Sequence, residues 1–228
     1  MTINTAGQRL HAKLELAAPT FVAAAERLWT NPRVREIYPV YLATMHMIVR
    51  AAVPLMQAAC ERAREREELD PLAGPLADYL TRHVEEMIGH DVWLLEDLAA
   101  TGADPGIPLQ AIPSPKVASL VGAHYYWVHH HHPIALLGYI GAIETYPPPL
   151  GFTERLRART GFPREAYRTI ARRELSNPER SREFYELLDT LPLSRRQETL
   201  IGLSALHTVH AGVDVLEEIH DRVTLRPV

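Results

Sequence analysis

Between Val117 and Ile143 the chain carries no Asp, Glu, Lys or Arg, and inside that stretch stand four consecutive histidines, His129 to His132, followed by Pro133. A run this long and uncharged either crosses a membrane or passes through a protein interior. Five imidazoles, counting His124, and a proline are expensive in hydrocarbon, so the interior reading is the expectation. Pro133 removes a backbone donor and disfavours helical geometry at His132, which predicts a kink or break there. Consecutive helical residues point about 100° apart, so the four histidines cannot face one metal. At most two should matter, and pairing of imidazole N–H groups with carbonyls freed at the break is expected to be their use.

The chain has 228 residues, which is compatible with one domain spanning 1–228 and a sizeable core. Lys+Arg 24 against Asp+Glu 28 gives a formal charge of −4, and the basic residues form no block. A nucleic-acid surface and a polybasic membrane patch are therefore not expected. A single cysteine, Cys60, cannot close an internal disulfide, which suits a reducing, cytoplasmic setting. The opening MTINTAGQRLHAKLEL lacks the apolar region of a signal peptide.

Apolar periodicity predicts helices near 19–30, 33–67, 71–100, 115–132, 133–146, 152–160, 164–176, 178–190 and 194–223, with no strand-like alternation. Prolines and glycines punctuate the segment ends, and Ser194 reads as the N-cap of the last helix. The expected class is all-α.

Three constellations carry possible chemistry. In 71–100, Leu76, Leu80, His83, Met87, His90, Leu94 and Leu98 recur in steps of three and four, so His83, Glu86 and His90 would converge from one helix. Two imidazoles and a carboxylate suit iron, manganese or zinc; equally, each histidine can be a hydrogen-bonded core residue. Glu144 ends the uncharged stretch and must be solvated, paired or ligated. It would share a face with Tyr126, His130, Leu137 and Ile140. In the last helix Leu203, His207, His210 and Asp214 repeat the pattern, either for acid–base work or as a solvated helix end. His46 and Arg50 lie one turn apart; an inward Arg50 would suit an anionic substrate group. Trp93 and Tyr79 would wall the His83 side.

The segments YLATMHMIVRAAVPLM, HVEEMIGHDVWLLEDL, HYYWVHHHHPIALLGYIGAIE and LLDTLPLS resemble the iron-containing redox enzymes of the heme-oxygenase-like diiron oxidase superfamily, over roughly 38–215. The resemblance implies a heme-oxygenase-like helical bundle around a cavity, often a homodimer, with dioxygen chemistry on an amino acid, amine or fatty acid. It further implies metal ligation by His83, Glu86, His90 and Glu144 through non-heme iron. The remaining family ligands fall on Arg173, Asn177 and Arg180. An arginine has no lone pair to give a metal, so this departure puts a two-iron site in doubt. Three readings follow: an iron-dependent oxidase or oxygenase, a metal-free enzyme in which His207, His210 and Tyr126 do acid–base chemistry while Arg50, Arg173, Arg180, Trp93 and His130 bind substrate, or a binding protein that keeps only the bundle.

Overall fold

A computed structural model describes residues 5–175 and 178–225, apart from the side chains of 178–180. The helices are α1 (Ala6–Thr30), α2 (Val34–Arg64), α3 (Ala73–Met87), α4 (His90–Ala100), α5 (Ile107–Gln110) and α6 (Pro115–His130). A 3-10 turn (Pro133–Ala135) runs into α7 (Leu136–Thr145), followed by α8 (Phe152–Thr160). A second 3-10 turn (Arg164–Tyr167) runs into α9 (Arg168–Glu174), and α10 (Pro178–Thr190) and α11 (Arg195–Thr224) complete the chain. Among the described residues there is no strand, and the class is all-α as expected.

Helix starts are set by side chains that satisfy orphaned backbone donors. Thr5 and Ser194 each form a reciprocal box with a glutamine three residues on, opening α1 and α11. Ser114 accepts from the Val117 N–H, and Pro115 occupies the first turn of α6, where its missing donor costs nothing.

The long helices α1, α2 and α11 organise the bundle. Helix α11 packs against α1, α6 and α7. It buries Ile201, Ala205, Val209, Leu216 and Ile219 in steps of three, four and seven along one stripe. At its crossing with α7, a Cβ on Gly138 would stand 2.2 Å from the Ile201 carbonyl oxygen, so the two backbones meet there. A second apolar cluster gathers Val34, Tyr38 and Leu42 of α2 with Leu94, Leu98, Leu156, Tyr167 and Ile170. Both α2 and α11 are long and apolar enough to cross a membrane by length and composition, yet they are core helices that pack on each other here.

Two expected boundaries change and one expected break holds. Helix α1 begins well before 19 and runs through Pro19, which lies exposed. The carbonyl of Glu15 that loses its partner there is on an exposed residue, so water replaces the bond cheaply. The expected helix 71–100 is two helices, because Gly89 takes φ 85, a left-handed conformation suited to glycine, between Met87 and His90. The uncharged stretch breaks at His131 and His132, as Pro133 predicts. What His132 does there differs from the expectation. Its Nδ1 accepts the Ile134 N–H (3.0 Å), so Nε2 carries the proton and donates to Asp70 Oδ2 (2.7 Å). It caps a donor instead of a carbonyl, and ties the break to the α2–α3 connection.

Candidate functional site

Tyr139 of α7 lies inside the bundle, with a polar cluster on each side. The first is built on His124 of α6, which is fully buried. Thr208 O–H donates to the Ser204 carbonyl (2.8 Å), its only proton being spent there. His124 Nε2–H must therefore donate to Thr208 Oγ1 (3.1 Å), which leaves Nδ1 to accept from Ser204 O–H (3.3 Å). Both ring nitrogens are used and the imidazole is neutral. Burial, helped by the neighbouring His207, pushes its pKa down to about 3. The ring also packs edge-on against Tyr139 at 4.9 Å between centroids.

The second cluster joins α2, α7 and α9. The Arg173 side chain, exposed overall, donates from one terminal nitrogen to the Ile143 carbonyl (3.1 Å) near the end of α7. Its charge reaches Tyr41 of α2 and Tyr139. Burial raises both phenol pKa values, that of Tyr139 to about 12, and the guanidinium opposes the rise. Neither hydroxyl makes a hydrogen bond to a described residue, and the other Arg173 donors make none either. Two phenols thus lie within electrostatic reach of one guanidinium near the solvent edge of the bundle. The phenols are kept protonated at neutral pH and the guanidinium is a fixed cation.

The four expected metal ligands fall on three helices. His83, on α3, is buried and lies with its ring 5.7 Å from that of Tyr79. His90 begins α4, beyond the Gly89 break, with its ring 4.6 Å from Trp93. Glu86 is exposed and Glu144 half-buried near the end of α7. Among the described residues no group of three or more His, Cys, Asp or Glu is placed to hold a metal. The single-helix convergence expected of His83, Glu86 and His90 is therefore corrected by the Gly89 turn, which puts His90 on a helix of its own. Trp93 instead carries the guanidiniums of Arg172 at 5.0 Å and Arg168 at 5.7 Å over its ring.

The other expected residues separate. Tyr126 and His130 were expected to share a face with Glu144, but α6 ends between them and α7. Tyr126 is 58% exposed, packing on His130 and His131 at the surface. His207 sits behind His124 and lies 3.2 Å from the Ser119 carbonyl, whereas His210 and Asp214 are exposed. The expected convergence of His207, His210 and Asp214 fails because only the first turns toward a neighbouring helix. Arg50 reaches the Pro108 carbonyl (3.3 Å), pinning α5 and no inward anion. Asn177 and the Arg180 side chain lie outside the described residues. Tyr41 and Tyr139 were not singled out from the sequence. Both stand in segments that carry the family resemblance, and Tyr139 also lies in the uncharged stretch.

No family model matches the chain, and no curated protein matches it. Solved structures do. A domain of unknown function with a heme oxygenase-like fold from Shewanella denitrificans superposes with a TM-score of 0.75 at 14% identity, covering 96% of this chain and 91% of that one. A TenA homolog from Pseudomonas syringae pv. tomato superposes with a TM-score of 0.64 at 13% identity, covering 91% and 92%. The chain therefore has a heme-oxygenase-like fold. At these identities the likeness defines architecture and leaves the chemistry to the site.

Proposed function

We propose that the chain is a small-molecule enzyme of the heme-oxygenase-like fold that holds a carboxylate-bearing metabolite against Arg173, Tyr41 and Tyr139. The observation that carries this reading is a guanidinium with spare donors within electrostatic reach of two phenols whose hydroxyls bond no described residue. Donors placed so can exchange water for an anionic ligand, which the guanidinium favours. Two O–H donors and a fixed cation also stabilise negative charge developing on a substrate oxygen, which defines the reactions such a site accelerates. The charged partner of a carboxylate is the guanidinium, whose planar fork can bind it at two points.

Because no group of three or more His, Cys, Asp or Glu among the described residues is placed to hold a metal, no step is assigned to iron. Dioxygen as second substrate is what the resemblance implies, and oxygen uptake belongs in the same assay. The test is calorimetric titration of the full chain with a panel of small carboxylates, alongside iron analysis after anaerobic Fe(II) loading. Saturable binding that Arg173→Met weakens supports the reading. Stoichiometric iron that His90→Ala removes would overturn it in favour of an oxidase. Binding with no turnover of any bound compound would reduce the assignment to a binding protein.

A further inference from the structure

A second opening lies on the other side of α2. It is a cavity of about 520 Å³ between α2, the segment from Leu98 to Ala111 and the end of α11. That size is within the roughly 300–1,000 Å³ of small-molecule sites. Its floor is a face of α2 in which Val40, Ala43, Thr44 and Met47 recur in steps of three, one and three. Tyr41 points about 100° away from Val40 on that helix, so this cavity and the Arg173 cluster use different faces.

The polar groups around the cavity are already committed. Thr44 O–H donates to the Val40 carbonyl within its own helix (2.8 Å). Arg33 is held by Glu36 through Nε (3.0 Å) and by the Val223 carbonyl (2.6 Å). Arg222 pairs with Glu218, and Asp104 Oδ1 accepts the Gly106 N–H (2.8 Å). Both rim arginines are thus paired with glutamates, and Asp104, the one lining carboxylate without a cation beside it, repels an anion, so the rim offers nothing to fix an anionic head group, the opposite of the situation at Arg173. Beside the mouth the chain exposes apolar side chains instead. Ile107, which lines the cavity, is 60% exposed and Ile112 is 93% exposed. Arg50 fixes this lip through the Pro108 carbonyl. Exposed apolar residues around a concave apolar surface mark a place where apolar matter is bound.

We propose that this cavity is a binding site for an uncharged, hydrocarbon-rich small molecule, distinct from the carboxylate site at Arg173. The aliphatic part lies on the α2 floor and the lip of Ile107 covers it, with no ionic anchor.

The test uses N-phenyl-1-naphthylamine, a neutral apolar fluorophore, titrated into the full chain and displaced by decan-1-ol or by decanoate. Saturable enhancement is expected, with decan-1-ol displacing the probe about tenfold more effectively than decanoate. Ala43→Phe, which fills the floor, should weaken probe binding by about tenfold or more. Ile107→Glu, a change at an exposed position that leaves the core intact, should weaken it in the same direction. Arg173→Met should leave it unchanged. No saturable enhancement, equal displacement by the two competitors, unchanged binding in Ile107→Glu, or loss of binding in Arg173→Met would each overturn the proposal. The last outcome would place the probe at the other site, so the two readings fail separately.

Discussion

Tyr139 separates two polar clusters that differ in one respect. On the α11 side, His124, Ser204 and Thr208 exchange hydrogen bonds until each ring nitrogen is used. On the α9 side, Arg173 makes a single described bond and the two phenol hydroxyls make none to described residues. Burial alone does not distinguish them, since His124 and Tyr139 are both buried. Closure of the network does. A completed network rigidifies a core, whereas an open set of donors is a place for something else to complete.

Acid should break the first cluster most visibly. His124 is neutral in the fold with a pKa of about 3, against 6.5 in the unfolded chain, so the unfolded state binds the extra proton between those values. Stability is full above pH 6.5 and falls as pH drops toward 3, by up to about 1.4 kcal/mol per pH unit from this group. Buried His46, whose pKa is also lowered by burial and by Arg50, adds in the same direction. Urea melts from pH 7 to pH 4 would measure the slope, and His124→Gln should flatten it. An unchanged slope would remove His124 as its source.

At the second cluster, Arg173→Met should cost about 10–100-fold in carboxylate affinity, the worth of a charge-assisted hydrogen bond. Titration calorimetry would show it, with the thermal midpoint little moved. Thr208→Val strands the His124 Nε2–H and should destabilise by about 1–3 kcal/mol in denaturant melts. Tyr139→Phe removes a hydroxyl that bonds no described residue, and its effect on stability should stay within about 0.5 kcal/mol while ligand affinity falls. If Tyr139→Phe cost as much stability as Thr208→Val, the contrast between the clusters would collapse.

Local signals in the sequence were sufficient for much of the architecture. The 152–160 and 178–190 helices, the Ser194 cap and the break before Pro133 all follow from propensity, capping and proline geometry, which act within a few residues. The Gly89 break was hidden because the apolar stripe resumes after it, so Leu76, Leu80, Leu94 and Leu98 are all buried although two helices carry them. That same break puts His90 on a different helix from His83 and Glu86. The Arg173 cluster was only half legible. Its arginine emerged as a departure from the family resemblance, but Tyr41 and Tyr139 come from other helices, and no local pattern brings three distant positions together. The completed hydrogen bonds of His124 were equally invisible, since Ser204 and Thr208 only acquire meaning once α6 crosses α11.

The close crossing at Gly138 has a kinetic consequence. With no room there for even a methyl group, the wall behind Tyr139 cannot part without separating two core helices. A ligand reaching the phenols must therefore arrive and depart on the side where Arg173 meets solvent. The guanidinium is then the first group it encounters and the last it leaves, so both association and residence time should depend on ionic strength.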